Sequence, residues 1–206
     1  MEKKEIRAFN CEFRAEQSEE NGHYIVGRPI VYNSRTDMGW YDEIIEDGAL
    51  DATDLKDVRL LVNHNTDMIP LARSRNNTAN STMQLTPIQG VGMDMRANLD
   101  ADNNTDARSL FSAVDRGDIT GMSFMFSVDA DSWDDIDSDH PTRHIRSIKR
   151  VYEVSAVTFP AYAATSISTR GLSDALESAK TSLESVRAEK REIENKKMKI
   201  KILTAI

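Results

Sequence analysis

The sequence has little cysteine, few aromatic residues and no long hydrophobic run. Its one cysteine, Cys11, excludes an internal disulfide framework and fits a reducing cytosol. Phe, Trp and Tyr make up only 6% of the residues, but aliphatic residues and Met are frequent enough to build a core. No apolar run approaches the roughly 20 residues that span a bilayer, and the charged N-terminus, MEKKEIRAFN, lacks the apolar middle of a signal peptide. We therefore expect a folded protein that neither crosses a membrane nor depends on disulfides.

Basic residues are also in deficit, with 26 Lys and Arg against 34 Asp and Glu, for a net charge of −8. An acidic surface argues against nucleic acid as the main partner, because duplex binding needs clustered Lys and Arg. The exception is the stretch from Arg187 to Ile206, which has seven basic and three acidic residues and carries +4, leaving −12 for the remainder. The last twenty residues therefore form a different kind of segment.

The first 160 residues are patterned mostly as β-strands. Apolar and polar residues alternate over residues 7–13, which predicts a half-buried strand. Further strands are predicted over Tyr24–Tyr32, Val58–Val62, Met83–Leu85, Val91–Leu99, Ile119–Val128 and Ile145–Val157. One helix is predicted over Thr105–Arg116, with Thr105 as its N-cap, and a solvated loop over Asp129–Asp139. The pattern predicts a mainly β (α+β) fold, a small closed β-barrel or sheet with peripheral helices.

After Gly171 the hydrophobic period changes to that of a helix. Apolar residues follow a spacing of four and three, broken at Lys190: Leu172, Leu176, Ala179, Leu183, Val186 and Ile193. The pattern fits two structures equally, a coiled coil or a helix docked on the barrel. We therefore predict two parts, a β-barrel domain over residues 1–170 and an amphipathic helix with a basic tail over residues 171–206.

Two residues on predicted strands are candidates for acid–base and nucleophilic chemistry. His64 follows an aliphatic strand at the point where the chain turns polar, so it is expected at a sheet rim, either as a proton acceptor or as a hydrogen-bonded turn residue. Ser123 lies on a strand whose opposite face carries Met122, Phe124 and Phe126, which fixes its orientation. Gly121 leaves its own face uncrowded, although a polar residue on an outer sheet face has the same pattern.

A third candidate is an acid, and three further residues are weaker. Glu153 interrupts a mixed face of the last strand, close to Ser155, where a carboxylate can orient an imidazole; the alternative is an exposed glutamate. Cys11 alternates with phenylalanines and is expected to be a buried, inert thiol. His140 and His144 lie in an acidic stretch that imitates a metal site, but Pro141 between them argues against a shared helix face.

Several motifs occur together in the order of a known family. They are GRPIVYN, EIIEDGAL, LLVNHNTDMIPLARS, TGMSFMF and RSIKRVYEVSAVTFPAY. With these motifs, the chain resembles the prohead maturation proteases of tailed bacteriophages, relatives of the herpesvirus capsid-assembly protease, from about Ile6 to Thr165. The resemblance implies a serine endopeptidase with a closed barrel of the herpesvirus-assemblin type, without a cofactor or metal.

The resemblance also implies roles for single residues. Ser123 would be the nucleophile, His64 the general base and Glu153 the third member, where herpesvirus relatives have a second histidine. The chain departs from those relatives after the last strand, where their oxyanion arginines are replaced by Thr158-Phe159-Pro160-Ala161. Backbone amides near Ser123, or a displaced Arg73 or Arg75, are the alternatives for that role.

By the same resemblance, the substrates would be the scaffolding part of the major capsid protein and the protease itself, inside an immature procapsid in the bacterial cytoplasm. A homo-oligomer is expected by analogy with the herpesvirus enzymes. The C-terminal helix is predicted to bind the scaffold and to be removed by self-cleavage. The alternative function is a non-catalytic scaffold or capsid-assembly protein with the same barrel.

Overall fold

The computed structural model describes residues 3–20, 22–159 and 169–204, and it is mainly β with two helices, as the sequence predicts. The first strands are β1 (Glu5–Asn10), β2 (Phe13–Ser18), β3 (Gly22–Val31), β4 (Arg35–Asp37), β5 (Asp42–Ile45) and β6 (Val58–Val62). They are followed by β7 (Ala72–Ser74), β8 (Met83–Ile88), β9 (Gly92–Leu99), helix α1 (Thr105–Asp115), β10 (Gly121–Asp134), β11 (Thr142–Val157) and helix α2 (Thr169–Thr204).

The strands form two sheets rather than one closed barrel. The larger sheet has the order β1-β10-β11-β5-β4, with β6 pairing with β11 and β7, and the smaller has the order β2-β3-β9-β8. Neither sheet closes on itself within the described ranges, so the closed barrel expected from the sequence is not seen. The predicted strand over residues 7–13 is instead two strands, because the chain leaves β1 after Asn10 and enters the other sheet at Phe13.

The core lies between these two sheets. Met122 and Phe124 of β10 are fully buried with Ile25 of β3 and Met93 of β9, in one apolar cluster. Gly27 of β3 permits this close approach, since a Cβ atom there would lie 2.5 Å from the Met122 sulfur. Met122 and Phe124 therefore hold one face of β10 against the core. The residues that alternate with them lie on the other face of the strand.

The N-cap residue of helix α1 lies one position earlier in the chain than the sequence predicts. The side chain of Asn104, and not Thr105, accepts hydrogen bonds from the backbone N–H groups of Asp106 (2.9 Å) and Ala107 (3.2 Å). The helix buries Leu110 and Val114 against the core, as the apolar spacing predicts.

Strand β10 extends well into the acidic stretch that was expected to be a loop. It continues to Asp134, so only the second half of the stretch is irregular. The reason is that inward-facing side chains there have partners: Asp131 accepts from Arg143 Nε (2.6 Å) on β11, and Trp133 packs against α2.

Helix α2 has two halves with different surroundings. Ala179 and Leu183 are buried against Tyr41 and Trp133, and Ser182 donates to Asp131 Oδ1 at 2.9 Å. All residues from 188 to 201 are exposed. The first half therefore docks on the β-sheets, as one of the two sequence interpretations predicts, and the second half extends away from them. No described helix is both long and apolar enough to cross a membrane.

Four charged side chains are buried together beside the central strands. Glu5 and Arg7 of β1, Glu43 of β5 and Arg143 of β11 are each at most 3% exposed. Arg143 Nη1 donates to Glu5 Oε2 (2.9 Å) and Glu43 Oε2 (3.2 Å), while Arg7 Nη2 donates to Glu5 Oε2 (2.7 Å) and Glu43 Oε2 (2.6 Å). We call these four residues the buried charge cluster; it ties β1 to the centre of the larger sheet.

Candidate active site

Ser123 lies in the middle of the larger sheet. Strand β10 pairs with β1 on one side and β11 on the other, so that Ser123 lies opposite Ala8 and Ser155. With both neighbours in place its side chain is fully buried. The Ser123 hydroxyl donates a hydrogen bond to the backbone carbonyl of Arg7, at 2.7 Å.

His64 is delivered to this sheet by β6. That strand runs parallel to β11, with Leu61 beside Ser155 and Val62 beside Ala156, so the residues that follow it come close to the middle of β11. Asn63 and His64 both have left-handed backbone conformations, with φ of 50° and 56°. Two β-sheet contacts hold this turn: Asn63 N–H donates to the Ala156 carbonyl (2.9 Å), and His64 N–H donates to Ser155 Oγ (3.1 Å).

Glu153 faces His64 from β11. Its Oε1 lies 2.5 Å from His64 Nδ1, and both side chains are nearly buried, at 4% and 5% exposed. Residues two apart on a strand share a face, and directly opposed residues of antiparallel strands do so as well. Glu153, Ser155 and Ser123 therefore lie on one face of the sheet, with His64 over it.

The contact between His64 and Glu153 determines which ring nitrogen can act as a base. With Nδ1 donating to the carboxylate, Nε2 carries the lone pair. Nε2 is buried and has no hydrogen-bond partner among the described residues. The hydrogen bond that a serine nucleophile would donate to this base is not present, and the Ser123 hydroxyl is directed to the Arg7 carbonyl.

A cleft of about 360 Å³ opens beside the acid. Glu153 lines it together with Leu61 of β6 and Met125 of β10, which lies directly opposite Glu153 in the sheet. Its rim includes Lys4, Arg59, Arg150 and Tyr152. Of the three candidate residues, Glu153 is the one that lines this cleft, whereas the Ser123 side chain is fully buried.

Sequence reasoning did not assign roles to two residues that contact the candidates. Ser155 joins Glu153 to the backbone of His64, and the Arg7 carbonyl holds the Ser123 hydroxyl. The signal for Ser155 was its position two residues after Glu153 on one strand. No sequence signal marks the Arg7 carbonyl, because the contact follows from the register of β1 on β10.

The remaining candidates lie apart from this face. Arg73 pairs with Asp57 (Nε to Oδ1, 2.7 Å) and Arg75 donates to the Asn80 carbonyl (2.6 Å), so both guanidinium groups have other partners. Burial raises the pKa of the Cys11 thiol, which disfavours the reactive thiolate.

The two histidines of the acidic stretch have separate partners. His140 Nε2 lies 3.2 Å from Asp42, and one side-chain ligand atom from each of Asp37, Asp42 and His140 lies within 4.8 Å of the others, in a group of which Asp42 is half-buried. His144 contacts Glu46 and Asp134 instead (3.0 and 3.2 Å). The end of the last motif, RSIKRVYEVSAVTFPAY, falls on residues 160–162, which lie outside the described part of the chain.

A serine, a histidine and a buried acid on one side of a β-sheet are the functional groups that serine peptidases use. The chain belongs to the caudovirus prohead serine protease family, whose model matches residues 9–179. A solved structure of the bacteriophage T4 capsid assembly protease is similar at 14% identity, over 74% of this chain and 98% of that one, with a TM-score of 0.38. A comparison with curated proteins gives no match.

Proposed function

We propose that the chain is a serine endopeptidase of phage procapsid maturation that uses Ser123, His64 and Glu153. The observation that carries the proposal is the 2.5 Å contact between the buried Glu153 carboxylate and His64 Nδ1. Family membership makes the chemistry that of a serine peptidase, and the contact supplies the oriented base that such chemistry needs.

The proposed reaction begins with a rotation of the Ser123 side chain. Its hydroxyl leaves the Arg7 carbonyl and donates to His64 Nε2, which takes the proton while Oγ attacks the scissile carbonyl carbon. His64 then returns the proton to the leaving amine, the C–N bond breaks and an acyl-enzyme forms. Water, deprotonated by His64, hydrolyses the ester and restores Ser123. Glu153 stabilises the imidazolium ion during both proton transfers.

The proposed substrates are the scaffolding part of the major capsid protein and the protease chain itself, in the interior of a procapsid in the bacterial cytoplasm. Family membership supports this setting. We expect the active form to be a homo-oligomer, as in the herpesvirus relatives.

The helical segment over residues 171–206 is proposed to recognise the scaffold through its exposed half. Val186, Ile193 and Ile200 recur every seven residues, but only Val186 is partly covered, whereas Ile193 and Ile200 are 45% and 61% exposed. The apolar row that docks α2 thus continues beyond the sheets, with Glu192 and Glu194 beside Ile193 and with Lys199 and Lys201 beside Ile200, and it suits an amphipathic helix of the scaffold. A chain ending after Ala188 should stay folded but no longer be packaged into procapsids; normal packaging would refute this role.

The decisive experiment compares the unaltered chain with Ser123→Ala and His64→Ala, each mixed with capsid protein. We expect cleavage of the scaffold part, and labelling of Ser123 by a fluorophosphonate, only with the unaltered chain. Ser127→Ala is the matched control, since Ser127 is a buried serine on the same strand, and it should retain activity.

The alternative is a non-catalytic assembly protein with the same fold, and the bond from Ser123 to the Arg7 carbonyl favours it. In that case the unaltered chain and the three variants all stay intact, the capsid protein is not cut, and no fluorophosphonate label appears on Ser123. That set of results would refute the peptidase.

A further inference from the structure

Ser155 lies where the three strands of the candidate site meet. It is fully buried on β11, directly opposite Ser123 of β10 and beside Leu61 of β6. A buried hydroxyl needs hydrogen-bond partners to offset its desolvation. The partners of this hydroxyl are two members of the proposed catalytic machinery.

The Ser155 hydroxyl closes a ring of hydrogen bonds. It donates to Glu153 Oε2 at 2.5 Å and accepts from the backbone N–H of His64 at 3.1 Å. The other carboxylate oxygen, Oε1, contacts His64 Nδ1 at 2.5 Å. Both oxygens of Glu153 are therefore held, which leaves the carboxylate no freedom to turn away from the imidazole.

The same hydroxyl stabilises an unfavourable backbone. Asparagine adopts the left-handed conformation readily, but for His64 it is costly and persists only where contacts fix it. Asn63 is fixed by the Ala156 carbonyl and by Thr158, whose N–H donates to Asn63 Oδ1 at 3.0 Å. For the backbone N–H of His64, the partner is Ser155.

In this arrangement neither serine hydroxyl is directed to the base nitrogen, but the Ser123 hydroxyl is held by a main-chain carbonyl, whereas the partners of Ser155 are themselves parts of the proposed site. The Ser155 proton is donated to the carboxylate, and the contact of Ser155 with His64 is to the main chain rather than to a ring nitrogen. A nucleophile has to donate to the nitrogen that acts as the base, which here is Nε2.

We infer that Ser155 is a positioning residue, which sets the His64 ring and the Glu153 carboxylate for proton transfer without contacting substrate. The inference rests on the proposed peptidase function. Misplacing a catalytic base by about 1 Å costs roughly 100-fold in rate. Loss of the Ser155 hydroxyl should therefore lower kcat by roughly 10- to 100-fold, while KM changes little because the cleft is intact.

The test combines kinetics with a measurement that needs no activity. In a Ser123→Ala background, which cannot cut itself, the His64 Nδ1–H proton is followed by NMR. We expect a downfield resonance that Ser155→Ala moves upfield or broadens, because the carboxylate is no longer fixed. Ser155→Thr keeps the hydroxyl and should preserve the resonance and most of kcat, and Ser127→Ala is the buried-serine control.

The inference is overturned if Ser155→Ala leaves the resonance in place and kcat within about twofold of the unaltered chain. It is also overturned if kcat falls only as far as the folded fraction does, with the resonance unchanged, since Ser155 would then be merely structural. Failure of the proposed function has a different signature, because the unaltered chain would then neither cut capsid protein nor be labelled at Ser123 by the fluorophosphonate.

Discussion

The hydrogen bond between His64 Nδ1 and Glu153 is the single contact that selects one tautomer of the proposed base. A glutamine at position 153 has nearly the same shape but can donate its amide N–H to Nδ1, which would leave the proton on Nε2 and remove the base. We therefore expect Glu153→Gln to lower kcat by about 10²- to 10⁴-fold with little change in stability. The measurement is the rate of cleavage of a peptide from the scaffold, together with a thermal melt.

The chain offers a matched control for this substitution. Glu46 contacts His144 Nδ1 at 3.0 Å in a second, more exposed pair outside the candidate site. Glu46→Gln should leave kcat unchanged. Equal rates for Glu153→Gln and the unaltered chain would show that Glu153 does not orient the base.

Candidate residues with distinctive chemistry could be singled out from the sequence, whereas residues whose contacts depend on geometry could not. His64 and Glu153 were singled out because an imidazole after a buried strand and an acid on a mixed face are unusual. Ser155 and the Arg7 carbonyl are ordinary groups, and their contacts depend on strand register, which the chain fixes only when the sheet forms. The direction of the Ser123 hydroxyl likewise depends on its side-chain rotamer.

Strand types were predictable from alternation, whereas sheet membership was not. The pattern over residues 7–13 is continuous, but the turn at Cys11 sends β1 and β2 into different sheets. A charged residue type was also a poor indicator of solvent exposure. Four charged side chains lie in or beside the core because each has an oppositely charged partner: Glu5, Arg7, Glu43 and Asp131. The order of residue types along the chain does not show which charged side chains will pair in the fold.

The buried charge cluster, which joins three strands, predicts a pH dependence of stability. Burial alone would raise the pKa of Glu5, but Arg7 and then Arg143 outweigh it, so that the pKa lies below the ordinary value of 4.5. A carboxyl with a lowered pKa stabilises the fold above its unfolded-state pKa, and this contribution is lost as pH falls through the folded-state value. Stability should therefore decrease below about pH 4.5.

Glu5→Gln isolates this contribution. At pH 7 it should reduce the free energy of unfolding by about 3 kcal/mol, the lower end of the cost of breaking a buried ion pair, because Glu43 still pairs with both arginines. The difference in the free energy of unfolding between Glu5→Gln and the unaltered chain should become smaller as pH falls from about 5 to 3. Urea unfolding across this pH range measures the free energy of unfolding of both chains. Asp94→Asn is the control: its partner Arg28 is 40% exposed, so this substitution should lower the free energy of unfolding by less than about 1 kcal/mol. A difference that is constant with pH would contradict the assignment.

At the scale of the whole molecule, α2 has a docked half and an exposed half, and we assign the proposed recognition of the scaffold to the exposed half. Ser182 reaches the buried charge cluster through Asp131, which binds Arg143, so the docked half of the helix belongs structurally with the sheets. The residues of the other half, from 188 to 201, are exposed. The Lys190 Nζ contact with Asp137 (2.5 Å) is formed at the point where docking ends. We therefore expect substitutions in the docked half of α2 to change the stability of the fold and substitutions in the exposed half to change the proposed recognition of the scaffold.

Two substitutions on α2 test this separation with opposite expected outcomes. Leu183 is 3% exposed against Trp133, so Leu183→Ala should lower the free energy of unfolding by about 2–5 kcal/mol. Ile193 is 45% exposed, so Ile193→Ala should change it by less than about 0.5 kcal/mol, yet it should reduce incorporation into procapsids because it removes part of the proposed recognition row. Thermal melts and the protease content of purified procapsids measure the two effects. If Ile193→Ala is incorporated normally while Leu183→Ala behaves as expected, α2 serves only to stabilise the sheets, and recognition of the scaffold lies elsewhere on the surface.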